Sequence, residues 1–284
     1  MRRSAPSGLS DCAAAVREHD PDRYLATLFA PSEARQALFA LYAFDHQIAR
    51  VRHLVREPMA GLVRFQWWRD ALEGIAAGRP LAHPVIAALH ADWATFAPLR
   101  PRLERAIDAR EVEFRADPPA DMAELEERLE GSYGEITLAA VALLEADTEP
   151  VCAAARHLGR ALGLVRLIQA LPVDLSRDPM RLPLSVINRS EIDRESSEQP
   201  RAGRALAPLA AELAARAQSH LQQSRRYRRE VPRAALPALL HATLLDRYLG
   251  RLARAGHDPF ARVATRPGGG APLRLLAQHL LGRY

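Results

Sequence analysis

Apolar residues recur at every third or fourth position along nearly the whole chain, which is the spacing of a buried helical face. No segment shows a convincing alternation with the period of two that a half-buried strand requires. The clearest helix is predicted to begin with Ser32 as its N-cap and to end near Glu57-Pro58. Its apolar stripe consists of Leu38, Leu41, Ile48, Val51 and Val55. The sequence therefore predicts an all-α protein.

The same spacing predicts further helices along the chain. The second opens after Gly61, carries Trp68 on its apolar stripe, and stops at Gly78-Arg79-Pro80. Later helices are predicted over 84–96, 102–115, 122–144, 151–171, 204–229, 234–255 and 273–281. Trp68 is expected in the core, whereas Trp67 fits the core, a ligand tunnel or a partner surface.

The periodicity fails between Pro172 and Gly203, where prolines and charged residues interrupt it. We therefore expect a long mobile loop over 172–203, since loops of this length are commonly lids or disordered segments. Nothing in the composition forces a domain boundary, so a single domain over 1–284 is predicted.

Charge and composition narrow the classes of partner. The formal net charge is +5, and every basic residue apart from histidine is arginine. A basic surface attracts diphosphates and phospholipid headgroups as well as nucleic acid. We expect no nucleic-acid partner, because no known binding motif occurs and aromatic residues make up only 6% of the chain.

Two further features bear on location. Cys12 and Cys152 stand alone, so neither a disulfide framework nor a zinc site is predicted, which fits a reducing compartment. No charge-free run approaches the ~18 residues of a spanning helix. We expect a cytoplasmic protein that is soluble or peripheral to the inner membrane. The helix over 273–281 either lies on a membrane surface or docks onto its own domain.

Several short motifs resemble one enzyme family. They are Asp22-Arg23-Tyr24, Leu41-Tyr42-Ala43-Phe44, Gln66-Trp67-Trp68-Arg69-Asp70, and Ala161-Leu162-Gly163-Leu164 leading to Arg181-Leu182-Pro183. From about Asp20 to Pro183 the chain resembles the squalene/phytoene synthase family, whose enzymes join two prenyl diphosphates head to head. The resemblance implies a single-domain helical bundle of the isoprenoid (trans-prenyl) synthase type.

The resemblance also implies that the family's magnesium motifs are missing. In that family two helices each present aspartates about one turn apart, and these carboxylates jointly bind Mg²⁺. The first motif falls here on Ala49, Arg50 and His53, none of which offers a carboxylate oxygen. We therefore expect no metal site and no cofactor.

The second motif falls on Ala170 and Asp174, with Arg166 one turn earlier. This arrangement leaves one carboxylate and adds a cation. Guanidinium groups bind phosphate in a bidentate fork, so Arg50 and Arg166 would attract an anionic isoprenoid or phospholipid without metal. Asp174 is either a former metal ligand or a partner of Arg177 at a helix end.

Two other sets of residues complete the predicted ligand-binding site. His46, Arg50 and His53 share one helix face, which either binds an anionic headgroup or is simply exposed to solvent. Tyr133 matches a tyrosine near the family's pocket, and it either hydrogen-bonds a ligand or is buried against a helix carbonyl. The predicted site is His46, Arg50, His53, Tyr133, Arg166 and Asp174.

One branch of the family is more similar to this chain than its enzymes are. The run from Phe44 to Val51 matches the pattern F-(D/N)-x-(E/Q)-(I/L)-A-x-V, and the turn at Glu57 to Gly61 matches E-P-M-x-G. That branch is regarded as non-catalytic and includes the assembly factor for mitochondrial complex I. The resemblance implies an assembly or lipid-binding role with a membrane-complex partner.

The enzymatic alternative is a divergent prenyltransferase that forms a squalene- or phytoene-like product. It would use Mg²⁺ and take its carboxylates from other positions, such as Asp45, Glu57 and Asp70.

Overall fold

A computed structural model describes residues 10–55, 57–115, 117–177, 182, 199–261 and 270–284. The side chains of residues 58, 115, 173–177 and 199–204 are not part of this description. These ranges contain helices and no strand, which confirms the predicted all-α class.

Fifteen α-helices lie within the described ranges. They are α1 (Asp11–His19), α2 (Pro21–Thr27), α3 (Ser32–Ala49), α4 (Val51–Leu54), α5 (Pro58–Ala76), α6 (Pro84–Ala91), α7 (Trp93–Phe96), α8 (Arg100–Arg115), α9 (Met122–Leu129), α10 (Glu135–Leu143), α11 (Glu149–Arg177), α12 (Gln199–Arg226), α13 (Leu236–Leu239), α14 (His241–Arg254) and α15 (Ala271–Leu280). A π-helical turn, Glu130–Gly134, joins α9 to α10.

The predicted helix over Ser32 to Glu57 occurs as α3 and α4, which are separated at Arg50. The prediction that Ser32 is the N-cap was wrong. Pro31 occupies that position, and the Ser32 hydroxyl donates instead to Oε1 of Glu33 at 3.0 Å. The helices α1 and α2 were not predicted, because both are short and their apolar stripes cover few residues.

Both predicted ends of the loop over 172–203 were wrong. Helix α11 continues through Pro172 to Arg177, and α12 already begins at Gln199. Leu171 is fully buried immediately before the proline, so packing of α11 along α12 outweighs the missing N–H. The remainder of the predicted loop, 178–181 and 183–198, lies outside the described residues.

The core lies around α3, α10 and α11. Helix α10 is apolar on nearly all sides and is almost completely buried, as expected of a central helix. Trp68 of α5 is 4% exposed and meets the Phe44 ring edge to face at 5.4 Å, which confirms it as a core residue. Trp67 is 36% exposed.

The last helix docks onto the domain through one face. Leu275 and Tyr284 are buried, and the Tyr284 hydroxyl donates to the Ser224 carbonyl oxygen at 2.8 Å. Leu273 and Leu280 on the opposite side stay exposed. Among the described helices, none combines the length and the apolar character needed to cross a membrane.

Glycine allows α11 to approach the π turn closely. A Cβ atom on Gly159 would lie 2.4 Å from the Cα atom of Gly134, closer than side-chain and backbone atoms can approach. The obstacle is main chain, so it cannot rotate away as a side chain would. This contact fixes the distance between α11 and the turn that carries Tyr133.

We predict that Gly159→Ala lowers the free energy of unfolding by about 1–3 kcal/mol, because the methyl group overpacks the contact. Gly250→Ala is the matched control, since Gly250 lies within α14 and an added Cβ meets nothing within 4 Å. The control should gain roughly 0.5–1 kcal/mol from helix propensity. Urea unfolding of both variants measures the difference, and equal midpoints would contradict the proposed crossing.

Candidate functional site

Six buried or half-buried charges of alternating sign run through the middle of the bundle. We call them the ion chain; its members in order are Arg166, Asp20, Arg23, Asp45, Arg110 and Glu113. They come from α2 and its N-cap, α3, α8 and α11. The ion chain therefore connects four helical segments that are distant in sequence.

The first half of the ion chain is anchored at the start of α2. Nη2 of Arg166 donates to Oδ2 of Asp20 at 2.6 Å, and Nε of Arg23 lies 3.9 Å from the same oxygen. Asp20 is also the N-cap of α2, where Oδ1 accepts from the Arg23 backbone N–H at 3.2 Å. A carboxylate at a helix N-terminus is favoured by the free N–H groups and by the helix dipole.

The second half is the more deeply buried. Nη1 of Arg23 donates to Oδ2 of Asp45 at 2.5 Å, and Nη2 of Arg110 donates to Oδ1 of the same residue at 3.4 Å. Arg110 then donates through Nη1 to Oε2 of Glu113 at 3.2 Å. The side chains of Asp45 and Arg110 are only 6% and 5% exposed, so each depends on its partners for charge compensation.

The sequence places these charges on apolar stripes. Asp45 follows Leu41 and Tyr42 at helical spacing on the buried face of α3. Arg110 follows Leu103 and Ile107 in the same way on α8. A charged residue at a stripe position is the signal that would have identified both residues, which are absent from the predicted site.

The pKa values follow from burial and from the neighbouring charges. Burial alone would raise the pKa of Asp20, but Arg166 and Arg23 outweigh it and lower the pKa to about 2. Burial would lower the pKa of Arg110, but Tyr133, Glu113 and Asp45 together raise it. Both groups are therefore charged at neutral pH.

His241 of α14 lies against the ion chain and is 4% exposed. Burial lowers the pKa of its imidazole to about 3, although Asp20 acts in the opposite direction. The folded protein thus holds His241 uncharged at neutral pH. His241 and Arg23 line a cavity of only about 10 Å³, far smaller than the ~300–1,000 Å³ of typical ligand pockets.

Two residues of the predicted site belong to this centre. Arg166 is a member of the ion chain through Asp20. Tyr133 is buried in the π turn, and the Arg110 guanidinium carbon lies over its ring at 4.1 Å from the centroid. Single π turns inside helical segments are frequent at functional sites.

Three predicted residues lie around the junction of α3 and α4. His46 is half-buried and stacks on His19 with a centroid distance of 4.2 Å and an angle of 5°. Burial, His19 and Arg50 all lower the pKa of His46. Arg50 is half-buried at the junction, and His53 is exposed on α4. The backbone of Asp174 lies in α11, but its side chain falls outside the described ones.

Few oxygen ligands surround Ala49, the first position of the implied magnesium motif. Ala49 lines a space of about 10 Å³ together with Arg110, Glu113 and the rings of Phe65 and Phe114. Glu113 supplies the carboxylate of this set, and it pairs with Arg110. Mg²⁺ requires a shell of oxygens that usually includes several waters. These neighbours do not suit it.

Across the described ranges, no group of three or more His, Cys, Asp and Glu side chains has a geometry that could hold a metal ion. The side chain of Asp174 lies outside the described ones.

The chain is similar in sequence to proteins of one family. The model of the squalene/phytoene synthase family matches residues 16–270. Complex I assembly factor 6 of NADH dehydrogenase (ubiquinone) from Mus musculus is 29% identical over 273 residues, which are 96% of this chain and 82% of that protein. Presqualene diphosphate synthase of Rhodopseudomonas palustris is 26% identical over 219 residues, 76% of this chain and 77% of that enzyme.

A crystal structure of a dehydrosqualene synthase in complex with a ligand superposes with a TM-score of 0.77 at 18% identity. The superposition covers 95% of this chain and 94% of that one. This similarity confirms the helical isoprenoid synthase fold.

We predict that Asp45→Asn lowers the free energy of unfolding by about 3–5 kcal/mol, because it leaves two buried guanidinium groups without a shared carboxylate. Asp108→Asn is the control, since Asp108 also pairs with an arginine but its side chain is 58% exposed. The control should change stability by ~1 kcal/mol or less. Urea unfolding at neutral pH compares them, and equal losses would show that the ion chain is not a structural element.

We also predict a loss of stability on acidification. An unfolded histidine has a pKa of about 6.5, so between that value and about 3 the unfolded chain binds a proton that folded His241 does not. Stability from this group is complete above pH ~6.5 and declines as the pH falls. The pKa of Asp20 is about 2 in the folded protein and ~3.9 in the unfolded chain, so this group causes a further loss of folding stability below pH ~4.

Unfolding in urea at a series of pH values tests this. His241→Leu should flatten the dependence between pH ~6.5 and ~4, because the titrating group is gone. The exposed His90→Leu is the matched control and should retain the wild-type slope. An unchanged slope in the His241 variant would refute the assignment.

Proposed function

This chain belongs to the squalene/phytoene synthase family, and we propose that it is a non-catalytic member that acts in the assembly of a membrane respiratory complex. The observation that carries the proposal is the ion chain. Asp20 and Asp45 lie where the helices of the bundle converge, and both are neutralised by arginine. Carboxylates held in this way are not available as magnesium ligands.

The similarity to a protein named as a complex I assembly factor supports complex I as the respiratory complex in this proposal. That mouse protein matches 96% of this chain, so the similarity extends over the whole helical bundle. A respiratory complex I is accordingly the proposed partner. A location at the surface of the membrane that contains the complex follows from this role.

We include a lipid ligand in the proposal. Arg50 pairs with no carboxylate among the described residues, whereas Arg166 is neutralised by Asp20 at 2.6 Å. Arg50 is therefore the better candidate to bind the headgroup of an anionic isoprenoid or phospholipid, through the bidentate geometry of its guanidinium group. His46 lies beside it and is held largely uncharged by its lowered pKa.

The alternative function is prenyl transfer, and the similarity to presqualene diphosphate synthase favours it. Such an enzyme needs metal ions to stabilise the departing diphosphate, a contribution of several kcal/mol. Ala49, Arg50 and His53 do not provide ligands for them. Of the other candidate carboxylates, Asp45 is paired with two arginines, Glu57 and Asp70 are exposed at the surface, and the side chain of Asp174 lies outside the described ones.

A prenyl-transfer assay discriminates between the two functions. We predict that purified protein incubated with farnesyl or geranylgeranyl diphosphate releases no diphosphate and forms no product, with or without Mg²⁺. Farnesyl diphosphate should nevertheless bind, and Arg50→Gln should weaken it by about tenfold, with the exposed Arg229→Gln as the control. Magnesium-dependent turnover would overturn the non-catalytic assignment.

The assembly role is tested in the source organism by deleting the gene. Native gels and NADH:quinone oxidoreductase activity of isolated membranes then report the amount of assembled complex. The deletion should reduce both readouts, and the wild-type chain should restore them. A normal level of complex I in the deletion strain would rule out the assembly role.

A further inference from the structure

A surface groove of about 650 Å³ lies between α5 and the helical pair α3 and α4. Its floor is formed by the buried side chains of Val51 and Trp68. Its walls carry large apolar side chains that are exposed to solvent, namely Leu54 (45%), Met59 (69%), Val63 (64%) and Trp67 (36%). This is distinct from the ion chain, none of whose members lines it.

The two rows of residues along the groove have the spacing of helix packing faces. Met59, Val63 and Trp67 follow one another at intervals of four residues on α5. Gln47, Val51 and Leu54 do so at intervals of four and three on α3 and α4. Such stripes normally pack against another helix, with side chains interdigitating as ridges and grooves. Within the described chain, Trp67 contacts the rings of Trp68 and His83, whereas Leu54, Met59 and Val63 remain largely exposed to solvent.

The dimensions suit a helix. From Met59 to Trp67 the wall is about 12 Å long, or a little over two turns. A third helix laid between two neighbouring helices buries both stripes at once, which is the common helix-in-groove mode of peptide recognition. Met59 at the mouth adds a flexible side chain that adapts to different apolar partners.

The charge around the groove determines which polar residues are favoured on the bound helix. Among the described residues that line the groove there is no carboxylate, and Arg64 is exposed and pairs with no described carboxylate. A binding segment therefore gains most from acidic residues at the edges of its apolar face.

We propose that this groove is the docking site for an acidic amphipathic helix of a partner protein. Leucine-type side chains of that helix lie between α4 and α5, and its carboxylates meet Arg64. The inference rests on the proposed assembly function and assigns the surface by which the chain holds its partner.

A labelled model helix tests the docking site on the full chain. The probe is an amidated peptide of about 18 residues, or five turns, with leucine along one face and glutamate on the flanks. We expect micromolar binding by fluorescence anisotropy. Val63→Glu should weaken binding by about tenfold or more, because it places a charge in the apolar wall and repels the peptide.

Matched controls separate this effect from general hydrophobicity. Val112→Glu makes the same change at a 44% exposed valine on α8 and should bind the peptide like wild type. Arg64→Gln should weaken binding several-fold, whereas Arg229→Gln should not. Met59→Gln is a second groove variant, used if Val63→Glu loses its helical circular dichroism. A peptide with lysine in place of glutamate should bind more weakly than the acidic one.

Several results would overturn the proposal. One is absence of binding to the acidic peptide, and another is equal binding by the groove and control variants. Binding of phosphatidylcholine and phosphatidylglycerol vesicles instead of the peptide, with loss in Val63→Glu, would make the groove a lipid contact. In the deletion strain, full restoration of complex I by Val63→Glu would remove the docking site but leave the assembly role intact.

Discussion

The pairing of Asp45 with two arginines is the interaction on which the rest of the bundle depends. Arg23 and Arg110 approach this carboxylate from α2 and α8, and all three side chains are nearly inaccessible to solvent. A buried guanidinium group without an anion is strongly unfavourable, so the three helices must assemble around the aspartate in one register. Asp20 and Glu113 extend the same compensation to either end. The ion chain thus specifies the centre of the bundle where an apolar core alone would tolerate sliding.

The close contact between α11 and the π turn places the site residues around that centre. Gly159 and Gly134 bring the two main chains together, and Gly163 leaves room for Leu129 and Tyr133 one turn later. Tyr133 is thereby held under the Arg110 guanidinium, and Arg166 on the same helix reaches Asp20. The glycine contact therefore sets the distance between α11 and the π turn. The charged contacts of Arg166 and Arg110 depend on that distance.

Sequence reasoning recovered the parts of this arrangement that follow from periodicity. The helical class, the buried Trp68 and most of the helices are confirmed, since apolar spacing reports them directly. It missed Asp45 and Arg110 as a pair, because their positions are 65 residues apart and only the fold brings them together. It also ended α11 at Leu171, before Pro172, where the burial of Leu171 and its neighbours outweighs the local preference of proline. The spacing of apolar residues reports neither contacts between residues distant in sequence nor places where tertiary packing outweighs local helix propensity.

The distribution of charge separates the interior from the surface. The ion chain contains three arginines and three carboxylates, so it contributes nothing to the formal net charge of +5. The excess of arginine is therefore carried by residues outside it, such as Arg50 at the junction of α3 and α4 and Arg64 at the groove. An anionic ligand or partner is attracted to that surface, whereas entry into the centre would require breaking pairs that stabilise the fold. Binding of an anionic partner at the surface therefore leaves the ion chain intact. Binding of a metal ion by the carboxylates at the centre would instead break ion pairs that stabilise the fold.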